Sequence, residues 1–181
     1  MSRIGKLPIS IPAGVTVEVN DNVVTVKGAK ETLTQDFSSN VAVEVKDNQV
    51  IVSRKDETKE SNAKQGLYRQ LINNMVIGVK DGFTKSLTVK GVGYKLSKQG
   101  NKLVMNLGLS HPVEVVEADG VTLECPDNNT ILVKGANKER VGAMAAKIRA
   151  TRPMEPYHGY GIHYTSEPVI LKAGKSGGKK K

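Results

Sequence analysis

The chain is 181 residues long with a net charge of +9, one Cys, no Trp, two Phe and five Tyr, so its core must be aliphatic; its abundant valines favour strands. No apolar run approaches the ~20 residues that span a bilayer, and the opening Met1-Ser-Arg-Ile-Gly-Lys6 lacks the apolar centre of a secretory signal. Cys125 alone forms no internal disulfide, which suits a reducing cytosol, and its alternating setting, Val121-Thr-Leu-Glu-Cys125, marks a half-buried small side chain rather than a nucleophile.

Two hairpins are expected first. Val15-Thr-Val-Glu-Val19 and Val23-Val-Thr-Val-Lys27 flank the turn residues Asn20-Asp21-Asn22. Val41-Ala-Val-Glu-Val45 and Val50-Ile-Val-Ser53 flank Lys46-Asp-Asn-Gln49 in the same way. A helix follows from about Thr58 to Val76, with Ala63, Leu67, Leu71 and Met75 as its stripe, widened by Tyr68 and Ile72. Gly78 stands as its C-terminal stop.

The second half begins with an alternating run from Ser86 to Leu96, where Gly91 and Gly93 indicate a bulge or a close backbone approach. Strands are expected at 102–107, 113–117, 121–125 and 130–134. Asn137 suits the N-cap of a helix over roughly 138–150, with Val141, Met144, Ala145 and Ile148 as its apolar face. Pro153 ends that helix and pushes Arg152 into an extended conformation.

The order hairpin, hairpin, helix thus occurs twice, about eighty residues apart. Asp47-Asn48-Gln-Val-Ile-Val52 parallels Asp127-Asn128-Asn-Thr-Ile-Leu132, and Val23-Val24 with Gly28 parallels Leu103-Val104 with Gly108. The fold class expected is α+β: two tandem duplicated modules, each an antiparallel sheet with one helix packed on a face. The N-terminal module takes 1–81, the C-terminal module 82–171, and 172–181 forms a basic flexible tail.

Charge separates the modules. Residues 1–81 carry eleven Lys/Arg against ten Asp/Glu, residues 82–136 six against five, and residues 137–181 ten against three. A localised excess creates a directed field for a polyanion. On the second helix, Arg140 and Lys147 share one flank and Arg149 lies on the other, with Glu139 as the helix's balancing acid. Basic stems lying over a sheet would account for them in isolation. The basic segment that follows, starting with Arg152, weakens that ordinary reading.

The segment Thr151-Arg-Pro-Met-Glu-Pro-Tyr-His-Gly-Tyr-Gly-Ile-His-Tyr164 holds two prolines and two glycines, which fix an irregular loop. Tyr157 and Tyr160 offer aromatic faces for unpaired bases, and Gly159 and Gly161 let a phosphate approach the backbone. Tyr164 equally suits pinning the loop to a strand with Ile162. His158 and His163, without cysteines or clustered carboxylates, fall short of a metal site. The tail supplies Lys172, Lys175, Lys179, Lys180 and Lys181; a solubilising tail is the plain alternative, but it continues directly from the helix and loop. No phosphate-binding glycine motif, nucleophile–base pair or metal cluster is expected, so no cofactor is expected either.

Several longer stretches carry a resemblance. Gly66-Leu-Tyr-Arg-Gln-Leu-Ile-Asn-Asn-Met-Val-Ile-Gly-Val79, Val89-Lys-Gly-Val-Gly-Tyr-Lys95, Ala145-Ala-Lys-Ile-Arg149 and Pro156-Tyr-His-Gly-Tyr-Gly-Ile-His-Tyr164 closely resemble the bacterial large-ribosomal-subunit protein six ("L six") family, as does the opening Ser2–Pro12. The resemblance covers nearly the whole chain. It implies a cytoplasmic, non-enzymatic constituent of the large subunit that binds large-subunit ribosomal RNA mainly through its C-terminal module. It also implies a place near the stalk base and the sarcin–ricin loop, where translational GTPases dock. Partners expected are that RNA and neighbouring large-subunit proteins, with no membrane and no homo-oligomer. The family's loop usually carries Lys, Lys and Arg where this chain has His158, Tyr160 and His163, so either the loop binds by stacking and hydrogen bonding or the neighbouring Arg and Lys residues carry more of the electrostatic load. A small enzyme and a protein–protein adaptor with a solubilising basic end are the two competing classes.

Overall fold

A computed structural model describes residues 3–29 and 31–175. The chain forms two compact units, one of Met1–Phe83 with Ala136–Lys138, the other of Thr84–Gly135 with Glu139–Lys181.

In the first unit, β2 (Thr16–Asn20), β3 (Val23–Lys27) and β4 (Thr32–Asp36) form an antiparallel meander. Its first turn is two residues long, and Asp21 adopts φ 51° there. The hairpin of β5 (Val41–Lys46) and β6 (Gln49–Arg54) turns at Asp47 and Asn48, both with positive φ, as a tight primed turn requires. A two-residue strand, β1 (Ile9–Ser10), adds to the β6 edge. Alternation sends Val24, Val26, Val41, Val50 and Val52 inward, where they meet Ile72, Val76 and Val79 of the helix α1 (Lys59–Lys80).

That helix differs from its expected form in two ways. It continues past Gly78, and the chain leaves it at Gly82, whose φ of 77° is the left-handed exit. Gly78 is instead buried in the last turn, where an added methyl would press on the Phe83 ring. The buried face is also rotated. Ala63 is exposed and Leu67 is 54% exposed, whereas Ser61 and Gln65 are buried. The reason is polar satisfaction. Gln65 Nε2 donates to the Val52 carbonyl at 2.8 Å and the Gly5 carbonyl at 3.3 Å, and the N-cap Thr58 accepts from Ser61 N at 3.2 Å. Apolar periodicity alone cannot find a buried glutamine.

The second unit repeats the order. β8 (Lys95–Gln99), β9 (Lys102–Asn106) and β10 (Val113–Val116) form the meander. β11 (Val121–Asp127) and β12 (Thr130–Gly135) form the second hairpin, with a bulge between Glu124 and Asp127. β7 (Phe83–Lys90) takes the position that β1 holds in the first unit, and α2 (Lys138–Thr151) that of α1. The helix begins directly after Asn137, and its buried residues are Val141, Met144, Ala145 and Ile148. Each module is therefore an α+β unit with one helix, its strands shared between two small sheets. Gly91 and Gly93 do not sit in a bulged strand: residues 91–94 form a turn between β7 and β8, with Val92 83% exposed and Gly93 at φ 74°, but a close approach is present at Gly91, made by the Tyr94 ring, which an added Cβ would overlap.

One element has no counterpart among the described residues of the first unit. After α2, the chain adds β13 (Gly161–Tyr164) to the free edge of β7, in register Ile162 with Val89 and Tyr164 with Leu87. Where the duplicate departs from its template, the basic segment begins.

Candidate nucleic-acid interface

β13 is held by a short return of the chain. Arg152 forms a bend before Pro153 rather than the extended residue expected, and its carbonyl accepts from Ile162 N at 2.8 Å while Pro153 bridges to Ile162 in parallel. Between them residues 154–160 bulge outward as a loop closed by Glu155 N donating to the Tyr160 carbonyl at 2.9 Å. Gly161, at φ 133°, is where the loop re-enters the sheet. A Cβ there would sit 2.6 Å from Met154 Cα and from the Pro153 carbonyl oxygen. Gly159, at φ 74°, is buried under Leu171, whose Cδ2 would lie 3.2 Å from an added Cβ. Both glycines thus have a folding reason of their own, beyond the backbone access expected of them.

The loop displays aromatics. Tyr157 is 54% and Tyr160 is 37% exposed. His158 stacks on Tyr160 at 5.5 Å and 19°, so a base added to that stack would lengthen an existing π-column. Glu155 accepts from both the backbone N–H (2.8 Å) and Nδ1 (2.9 Å) of His158, and these bonds hold its carboxyl below the usual range. His163 points elsewhere: it is half-buried in β13, and its Nδ1 is buried with no hydrogen-bond partner among the described residues.

The basic residues divide into committed and uncommitted. Lys98, Lys102 and Lys134 pair with Glu117, Glu114 and Glu124 on the hairpins. Arg140 donates to the Asp119 carbonyl at 3.0 Å. Arg149 pairs with Glu167 at 2.8 Å and lies 5.6 Å from the Tyr164 ring centre, so it ties α2 to the segment after β13. The same bond, helped by the Tyr164 N–H, lowers the Glu167 carboxyl. Among the described residues Lys147, Arg152, Lys90, Lys172 and Lys175 form no ion pair. Arg152 lies over Tyr94 at 5.6 Å, and Lys90 reaches the space beside Gly159. Lys172 N donates to the Pro156 carbonyl at 2.8 Å, so the start of the expected tail is tethered to the loop. Lys179, Lys180 and Lys181 lie outside the described residues.

Lys90 and Tyr94 were not singled out in the sequence as site residues. Their local charge is unremarkable, and only the pairing of β7 with β13 brings them to the loop. Chemically the surface is cationic and aromatic. The described residues hold no group of three or more His, Cys, Asp or Glu able to bind a metal. Burial pushes the Cys125 thiol up, the wrong direction for a thiolate nucleophile.

Comparison with known proteins supplies the family. The sequence profile described as ribosomal protein L6 matches the chain twice, over residues 11–82 and 90–165, one match on each half. The large ribosomal subunit protein uL6 of Desulfitobacterium hafniense (strain Y51) is 54% identical over 180 residues, covering 99% of this chain and 98% of that protein. The protein of the same name from Geobacillus stearothermophilus is 54% identical over 177 residues, covering 98% and 99%. That from Moorella thermoacetica is 51% identical over 179 residues, covering 99% and 98%.

Proposed function

The chain belongs to the ribosomal protein L6 family, and from that premise we propose that its C-terminal module is the part that grips large-subunit ribosomal RNA. Its broad role follows from the family: a structural constituent of the large subunit, in the cytoplasmic ribosome, and not an enzyme. In this reading residues 1–81 mainly pack against neighbours, 82–171 carry the principal RNA surface, and 172–181 add electrostatic attachment. The chain acts as a single copy beside other large-subunit proteins, near the stalk base and the docking region of translational GTPases.

One observation carries the RNA assignment. The extra strand β13 and its loop gather exposed Tyr157 and Tyr160 with Lys90 and Arg152, cations that no carboxylate among the described residues neutralises. Stacking surface plus uncompensated charge is the combination that single-stranded and looped RNA recognises. A protein–protein adaptor with a solubilising end has no need for both together. Sedimentation of large subunits through a high-salt wash separates the two: the chain should remain with the subunit, and its quantitative release would support the adaptor instead.

A further inference from the structure

A recess in the C-terminal module lies apart from the tyrosine loop, lined by Thr84, Lys85, Ser86, Tyr164, Thr165 and Ser166. These are the residues where β7 begins and where the chain leaves β13. Thr165 N donates to the Ser86 carbonyl at 3.0 Å, continuing the strand register by one residue. That pairing packs hydroxyls together: Ser86 Oγ and Thr165 Oγ1 are 2.7 Å apart, and Thr88 Oγ1 and Thr165 Oγ1 are 3.0 Å apart. Each hydroxyl has one proton to give, and each rotates to suit a neighbour. Two of the three protons are used within the cluster, which leaves one to give to an acceptor-only group.

Lys85 supplies the charge. Its Nζ stands 5.9 Å from the Tyr164 ring centre, and it forms no ion pair among the described residues. Arg149 lies against the same ring, but its charge is met by Glu167. Glu167 follows Ser166 directly, yet its oxygens are taken by Arg149 Nη2 at 2.8 Å and by Tyr164 N at 3.3 Å. The recess itself has no carboxylate lining it. One uncompensated cation, a set of hydroxyls and an aromatic ring match a singly charged oxyanion joined to flat or sugar-like groups.

We infer that this recess, at the sheet edge where β13 leaves β7, is a second RNA-backbone contact, taking one phosphodiester of the same ribosomal RNA, with Lys85 neutralising it from the Tyr164 face and the Thr165 hydroxyl donating from the opposite face. The inference rests on the RNA-binding reading above. The four residues of β13 separate the recess from the tyrosine loop by roughly 13 Å, so both contacts lie along one edge strand. An acidic peptide would satisfy Lys85 alone, but continuity with the aromatic loop along that strand favours RNA.

The test is a salt titration of full-length protein on large-subunit ribosomal RNA, comparing wild type with Lys85→Ala, Lys85→Arg and Thr165→Val. Removing one phosphate contact lowers the slope of log affinity against log salt by about 1. Lys85→Ala should show that loss with roughly tenfold weaker binding; Lys85→Arg should keep the wild-type slope. Thr165→Val should weaken binding several-fold without changing the slope. Thermal unfolding of each variant checks that the module stays folded. Wild-type binding with an unchanged Lys85→Ala slope overturns the recess and leaves the RNA reading intact; such a variant losing affinity only for an acidic peptide would reassign it. A wild type that shows no salt-dependent binding overturns both.

Discussion

Gly161 and Gly142 lie in the same module, and the same substitution in each should have opposite signs. At Gly161 a methyl would stand 2.6 Å from both Met154 Cα and the Pro153 carbonyl oxygen, and φ 133° is a region that L side chains rarely adopt. Backbone strain of this type costs on the order of 1–3 kcal/mol, and forced overpacking costs about the same. The two overlap, since a small shift of residues 153–154 relieves part of each, so about 2–4 kcal/mol is expected for Gly161→Ala. A module of this size loses roughly 4–8 °C of melting temperature per kcal/mol, so its transition should fall by at least ~8 °C. Gly142, inside α2, has nothing within 4 Å of an added Cβ. Ala there removes unfolded-state entropy and should stabilise by about 0.5–1 kcal/mol. Differential scanning calorimetry on both variants measures the contrast. A Gly161→Ala protein that melts at or above wild type would refute the packing of the loop against the 153–154 return, and with it the geometry of the site.

Other expectations follow from the same residues. Deleting 172–181 removes five lysines and should weaken RNA affinity and flatten its salt dependence; an unchanged slope in a salt titration rejects a phosphate role for the tail. Tyr160→Ala should weaken RNA binding by about 1–3 kcal/mol, the usual worth of one base stacked on an aromatic ring, while far-ultraviolet circular dichroism stays unchanged; equal affinities sink the stacking role. Acid should loosen the second unit partly through Glu117. The Leu123 N–H, at 2.7 Å, and Lys98 hold its carboxyl below its ordinary value near 4.5. A lowered folded pKa gives stability that is complete above the unfolded value and lost as pH falls through the folded one. Urea unfolding from pH 6 to pH 3 should therefore show Glu117→Gln losing less stability than wild type over that range, and parallel curves would contradict it.

Much of the architecture was legible in the sequence because it rests on short-range rules. Asp47-Asn48 is a two-residue turn between alternating valines, and only one register buries Val41, Val43, Val50 and Val52 together. The repeat was visible at the same places, since Val23-Val24 and Leu103-Val104 occupy the central strands of equivalent meanders. What was missed depends on distant partners. Leu67 looked like core because it follows Ala63 by four, but the helix buries Gln65 instead, and the carbonyls that permit this come from Gly5 and Val52. Ile9–Ser10 is too short to alternate and becomes a strand only because β6 offers an edge.

The candidate site was legible as a segment but not as a surface. The charge excess after residue 137 and the tyrosines of the 151–164 segment were plain in the sequence. That Arg149 is spent on Glu167, while Lys85, Lys90 and Tyr94 arrive from seventy residues upstream, required the pairing of β7 with β13.

Ultraviolet crosslinking of assembled large subunits, followed by mass-spectrometric mapping of RNA-linked peptides from this chain, tests the central claim most directly. Crosslinks should concentrate in 137–181, with Tyr157 and Tyr160 among them and further sites on β7. Crosslinks confined to residues 1–81 would contradict the assignment of the RNA grip to the C-terminal module.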